Sequence, residues 1–407
     1  MNEPHIVYCR CAYSQEVPAE VKDEVLAALA GSGAPFDAVA DLCELAARRD
    51  PLLARWARDD HLRVVACHPR AVRWLFHAGG ADLPRADERV LDMKAAPAGE
   101  IAAALEAHAT ADPAGVGPRA DVPPGDVPHV VLYEGPGARP MDPPALAERL
   151  AALLDAGYRV TRTGPGRPIA PDGAAVVIGE FEGGEVPADL AGGSALCRDV
   201  TGLCPCGTTN AVHEARRQLG LPEPDGWIPW FPVIDYDRCV GCRQCANFCI
   251  FGVHEVDDDG TVRVVNPANC KTNCPACARM CKQVAIIFPK YPSGPIDGDV
   301  VREADVRKEK AGTDLKQLLR GDVYTVLRQR GKGVVGLGDG PGGRPSPADL
   351  ARMAGELEIP AAALEALDAE GGADPPGGGD GEAGGPCCED GDGEAGGEGE
   401  TKRDGRK

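Results

Sequence analysis

The chain has 407 residues, a length that suggests two or three domains, and its 52 Gly and 37 Pro are consistent with several linkers. A formal net charge of -20 argues against nucleic acid as a partner, because no basic stripe is offered to phosphates. Acidic balance favours solubility and docking to basic surfaces instead.

The N-terminus, MNEPHIVYCR, has neither the cationic start nor the apolar run of a secretory signal. No stretch approaches the roughly eighteen uninterrupted apolar residues of a membrane helix. The sequence therefore reads as soluble, cytoplasmic and without membrane insertion. In that compartment thiols stay reduced, so the 17 cysteines, an odd number, read as ligands or redox groups and not as a fully paired disulfide framework.

Residues 1–110 alternate strand and helix signals. A short apolar strand covers His5 to Cys9, and Pro18 opens a helix with Val21, Val25 and Leu29 on one face. Val39, Leu42, Cys43 and Ala46 continue a helical period after Asp37, which reads as an N-cap. A second strand spans Leu62 to Ala66, Pro69 sits at the start of a helix, and a third strand runs from Arg89 to Met93. This order implies an α/β domain on a small parallel sheet.

Residues 111–128 read as a linker rich in proline and glycine. A second small α/β unit follows at 129–190, with Leu146, Leu150, Leu153 and Leu154 on one helix face. Its Gly135-Pro136-Gly137 lacks full dinucleotide-binding spacing, and the glycine-rich stretch at Gly336 is followed by a proline-rich loop and not by the apolar helix such a site needs. Residues 197–226 form a connector carrying Cys197, Cys204 and Cys206, which read as part of a site, a redox-active pair or an unligated loop. His213 reads as a solvated helix residue.

A cysteine-rich module occupies 227–296. CVGCRQCANFC supplies Cys239, Cys242, Cys245 and Cys249; CKTNCPACARMC, 31 residues on, supplies Cys270, Cys274, Cys277 and Cys281. The two groups are an internal repeat, each followed by an apolar stretch. Between them, Val253 to Val256 pairs with Val262 to Val265 across a turn ending Asp-Gly. Beyond it, 297–370 is polar with helical patches, and 371–407, with 14 glycines and 10 acids, has the composition of a disordered tail. Cys387 and Cys388 in that tail read as reactive bystanders.

The repeat resembles the bacterial two-cluster ferredoxin, a β-α-β-β-α-β module with two 4Fe-4S clusters, over residues 233–290. The resemblance implies interlocked ligation: Cys239, Cys242, Cys245 and Cys281 on one cluster, and Cys249, Cys270, Cys274 and Cys277 on the other. Two departures stand out. The second repeat opens C-x3-C, so residues 271–273 must bulge, and Ile250 and Lys282 replace the proline usual after each fourth cysteine. Zinc is the alternative, since paired C-x2-C knuckles make structural sites, although eight cysteines exceed the needs of one ribbon. Eight of the 18 aromatics fall between Trp227 and Tyr291, as core or as a dry shell that controls solvent access to a cluster.

The N-terminal VYCRC, the single Cys43 and VVACHPR resemble the cysteine domain that opens the heterodisulfide reductase A family. That resemblance implies a third 4Fe-4S cluster on Cys9, Cys11, Cys43 and Cys67. Ala12 stands where the family has glycine and His68 where it has serine, and the long flavin domain that follows in the family is absent. Redox thiols and plain core residues are the alternatives. Taken together, the sequence reads as an iron-sulfur electron-transfer protein or subunit serving redox partner proteins. The alternative is an oxidoreductase whose N-terminal cysteine site is fed by the ferredoxin module.

Overall fold

The computed structural model describes residues 5–110, 129–166, 176–187, 190, 195–221, 224 and 226–307. The linker expected at 111–128, the helical patches beyond 307, the acidic tail, Gly336, Cys387 and Cys388 lie outside the described residues.

β1 (His5–Cys9) is buried along its whole length, as a strand covered on both faces must be. Pro18 precedes α1 (Ala19–Gly31), which buries Val25, Leu26 and Leu29. The next element corrects the sequence reading. Residues around Val39 form β2 (Phe36–Val39), a strand, and the cap is Asp41, whose side chain accepts from Cys43 N at 2.9 Å to open α2 (Leu42–Arg48). A β-branched and an aromatic residue suit a pleated strand, and register with β1, including Cys9 opposite Val39, overrides the apparent helical period. Then come α3 (Pro51–Ala57), β3 (Leu62–Ala66), α4 (Pro69–Ala78) with its proline in the first turn, α5 (Ala86–Arg89), β4 (Val90–Asp92) and α6 (Ala98–Thr110).

The following stretch supplies β5 (His129–Leu132), β6 (Ala138–Arg139), α7 (Pro143–Asp155), β7 (Arg159–Arg162), β8 (Val176–Phe181), β9 (Leu196–Asp199) and α8 (Pro205–Gln218). The sequence suggests two separate small sheets; the strands instead run on as one. Its order is β4-β3-β1-β2-β7-β5-β8-β6, with β9 also on β8. Neighbours are parallel except at β6–β8 and at the seam β2–β7, where Phe36 faces Arg162 and Ala38 faces Val160.

Buried polar groups bolt that seam. Asp37 accepts from Trp56 Nε1 at 3.0 Å and from Thr161 Oγ1 at 2.6 Å, and lies 3.1 Å from His5 Nε2. Arg162 reaches Glu134 at 2.7 Å and donates to the carbonyls of Leu29 and Ala30, the last turn of α1. Apolar residues of α1, α6, α7 and α8 fill one face of the sheet, among them Leu29, Leu105, Leu150 and Val212. Those of α2, α3 and α4, including Leu45, Trp56 and Phe76, fill the other. His213 is not simply solvated: its Nδ1 lies 2.6 Å from the Tyr158 hydroxyl. Gly135-Pro136-Gly137 is a packed turn, with Tyr133 donating to the Pro136 carbonyl.

The cysteine-rich module reads β10 (Val233–Ile234), α9 (Gln244–Phe248), β11 (His254–Val256), β12 (Val262–Val264), α10 (Ala276–Met280) and β13 (Ile286–Ile287). The internal repeat thus becomes two β-α-β halves. β10 pairs antiparallel with β13, and β11 with β12 through the Asp-Gly turn, in which Gly260 takes φ 88°. The module docks on α4. Arg70 donates to Asp235 Oδ2 at 2.7 Å and to the Val284 carbonyl at 2.6 Å, and Tyr236 packs edge-on to Trp74 and His77.

Candidate metal centres

The short helices α9 and α10 each carry the third cysteine of a group inward. Cys245 and Cys277 are buried, and their neighbours decide how the eight sulfurs sort. Cys245 feels Cys281, Cys239 and Cys242. Cys270 feels Cys274 and Cys249, while Cys277 feels Cys270, Cys245 and Cys249. Cys281, the last cysteine of the second group, is thus a neighbour of Cys245, and Cys249 is a neighbour of Cys270 and Cys277, while Cys245 and Cys277 also neighbour each other. Among the eight, Cys242 alone is exposed.

Loop conformation follows the cysteine spacing. Arg243, between Cys242 and Cys245, is left-handed at φ 61°. Asn273, in the three-residue gap of the second group, is left-handed at φ 63°, a conformation asparagine tolerates better than most residues. The bulge expected at 271–273 has its turn there. Val284 is left-handed too, at φ 53°, an outlier for a β-branched side chain. Its carbonyl is the one that Arg70 holds, and the next amide, Ala285 N, donates to Cys281 Sγ at 3.3 Å.

Electrostatics bear on what the sulfurs could hold. Burial, followed by the neighbouring cysteines, pushes the Cys270 thiol up to about 12 and Cys277 higher; burial pushes Cys245 up to about 11. Thiols crowded in this way are more readily ionised beside a strong positive charge such as a bound metal ion or cluster. Amides of Ala246 and Ala278 favour the charged forms of Cys245 and Cys277. Among the described residues, no group of three or more His, Cys, Asp or Glu side chains forms a single-ion site. The sulfurs around a four-iron cube stand farther apart than those around one zinc, whose bonds to sulfur are about 2.3 Å.

Residues 231–254 match the 4Fe-4S binding domain family. A protein described as an uncharacterized ferredoxin, from Methanocaldococcus jannaschii, is 48% identical over 63 residues, which are 15% of this chain. The chain spans 42% of that relative's length. No solved structure matches. The 4Fe-4S domain contains Cys239, Cys242, Cys245 and Cys249, and its hydrophobic support includes Trp230, stacked on Phe288 with ring centroids 5.4 Å apart.

The N-terminal cysteines gather at the carboxyl ends of β1 and β3, where open α/β sheets build their sites. Cys9 Sγ lies 3.4 Å from Cys11 Sγ and accepts from Leu42 N at 3.3 Å. Cys43 has Cys9 as a neighbour, and Cys67 has both Cys43 and Cys9. All four sulfurs therefore share one locale. Cys11 is itself left-handed, at φ 47°. Burial, with Cys43 and Cys9 nearby, holds the Cys67 thiol well above its ordinary value. Contact with Cys11 and burial do the same to Cys9.

Two lysines face this locale. Lys290, buried, lies 2.7 Å from Asp41 Oδ2 and acts on both Cys43 and Cys11. Lys94 acts on Cys67 and pairs with Asp297 at 2.8 Å. His68 bridges Asp92 at 2.7 Å and Asp297 at 3.2 Å. Burial alone would lower the His68 imidazole, but the two carboxylates outweigh it and push it up to about 9. The sequence reading missed Lys290, Lys94, Asp297 and Arg70, which belong to no motif; the visible signal was a lysine ending the apolar run VAIIFPK.

Cys197 lies on β9, and Cys204 and Cys206 open α8 with their sulfurs 2.9 Å apart.

Proposed function

We propose that the chain is an electron carrier with two 4Fe-4S clusters in residues 227–296 and a third on Cys9, Cys11, Cys43 and Cys67, exchanging single electrons with redox partner proteins. The observation that carries this reading is the exchange of fourth cysteines: Cys281 neighbours Cys245, and Cys249 neighbours Cys277. Such an exchange is what the interlocked ligation of a two-cluster ferredoxin would require, and it supports that reading. When bound, the clusters supply reversible one-electron redox chemistry. The protein's own part is to hold the sulfurs, aim amides at them and exclude water with Trp230, Phe288 and Tyr236.

The N-terminal set fits a cluster by its chemistry, with four sulfurs, one amide donor and two ammonium groups. Cys9, Cys43 and Cys67 are only 2, 6 and 6% exposed, which suits an electron relay better than a site that must admit substrate. The segment after Cys281 supports traffic between the two regions, because it is clamped by Arg70 at Val284 and ends over the N-terminal cysteines at Lys290.

Anaerobic purification with iron and sulfide counts tests this. About twelve irons are expected, falling to about eight in a Cys9→Ser, Cys67→Ser double variant. A count of about eight, unchanged in that variant, would remove the third cluster. Cys281→Ser is expected to perturb the paramagnetic signal of one module cluster while the other persists; a spectrum in which both or neither change would overturn the interlocked ligation.

A further inference from the structure

Cys204 and Cys206 have no part in the electron-carrier reading, yet their surroundings are well defined. Cys204 is the N-cap of α8, extended at φ -69° and ψ 168°, and Pro205 occupies the first turn. Gly207 N donates to Cys204 Sγ at 3.3 Å, so the positive end of the peptide dipole meets that sulfur. Both cysteines are partly exposed, beside the exposed Leu203.

The turn before them is pinned from two sides. Arg149, buried and paired with Glu180 at 2.8 Å, donates to the Leu203 carbonyl at 2.9 Å. Asp199 accepts from Thr201 N and Oγ1 and from Phe181 N. The sulfur pair is thus presented on a rigid platform at the carboxyl end of β9. One intervening residue at the first helical position keeps the two Cα atoms within the roughly 4.4–6.8 Å over which a disulfide closes. No third His, Cys, Asp or Glu among the described residues joins them in a single-ion site.

We infer that Cys204 and Cys206 form a thiol–disulfide exchange centre for low-molecular-weight disulfides, independent of the clusters. The Cys204 thiolate attacks one sulfur of the substrate disulfide; that S–S bond breaks, and one thiol leaves with a proton from water. The Cys206 thiolate then attacks Cys204 in the resulting mixed disulfide, expelling the second thiol. Two electrons and two protons pass from the dithiol to the substrate. The products are two thiols and a Cys204–Cys206 disulfide, and no further reactant is consumed.

The test uses the full chain, purified anaerobically and treated with bis(2-hydroxyethyl) disulfide, then quenched with N-ethylmaleimide. The tryptic peptide 199–216 contains these two cysteines and no others. It is expected to be lighter by two hydrogens and unalkylated, with two equivalents of 2-mercaptoethanol released. Cys206→Ser should stop at a mixed disulfide on Cys204, and Cys204→Ser should lose thiol release from this peptide. Recovery of the wild-type peptide with both cysteines alkylated would overturn the proposal, whatever the variants do. So would loss of iron from the Cys204→Ser, Cys206→Ser double variant, since it would make these residues ligands.

Discussion

Lys290 Nζ lies 2.7 Å from Asp41 Oδ2, joining the turn after β13 to the cap of α2 with both side chains more than nine-tenths buried. Burial pulls the ammonium down, but Asp41 and Cys43 more than offset it, so Lys290 stays charged. Asp41 also accepts from Cys43 N. One carboxylate therefore fixes a cysteine and a lysine together. Lys290→Met leaves that carboxylate buried without its cation and is expected to cost about 3–5 kcal/mol, read as a lowered urea midpoint. Lys290→Arg, which keeps the charge, should recover part of the loss.

Arg70 is the other fastening, with Asp235 and the carbonyls of Val284 and Pro295 as partners. Arg70→Met is expected to destabilise by about 3 kcal/mol. Amide exchange should quicken first at residues 284–287, next to Cys281. Uniform quickening across the sheet would contradict the local role.

His129 sits beside β7, with its Nε2 3.0 Å from Thr161 Oγ1, and burial with nearby Arg159 lowers it to about 3. A folded-state value below the unfolded one means the unfolded chain binds a proton that the native chain refuses. Stability is then full above about pH 6.5 and declines as pH falls toward 3. His129→Gln should flatten the decline between about pH 6.5 and 4.5, where most carboxylates are still ionised. An unchanged slope in paired urea titrations would sink the assignment.

Gly179 leaves no room for a side chain. A Cβ there would meet the Tyr133 carbonyl oxygen at 2.9 Å and the Phe181 ring at 2.7 Å. Gly179→Ala should therefore cost about 1–3 kcal/mol by overpacking, seen as an earlier thermal transition.

Much of the cysteine-rich module's fold was legible because its signals are local. Eight cysteines in two spaced groups, an Asp-Gly turn and an apolar run after each group specify two β-α-β halves, and β10 to β13 follow that order. Leu146, Leu150, Leu153 and Leu154 likewise announced α7, and all four are buried. The seam was not legible. β2 is four residues long, and nothing in its own sequence shows that Arg162 and Val160, far along the chain, would pair with it. Asp37 was misread for the same reason: an aspartate before an apolar period looks like a cap until His5, Trp56 and Thr161 converge on it. Lys290 and Arg70 act across more than 200 residues, a range no periodicity records.

The antiparallel seam between β2 and β7 makes the chain a candidate for split-protein reassembly. Cutting anywhere between 111 and 128 would yield two pieces, one ending its sheet at β2 and the other beginning at β7, each with a row of open backbone donors and acceptors. Arg162 and its carbonyl partners on Leu29 and Ala30 would be divided between the pieces, as would Asp37 and Thr161. Among the described residues these partners fall on opposite pieces, so each edge complements the other.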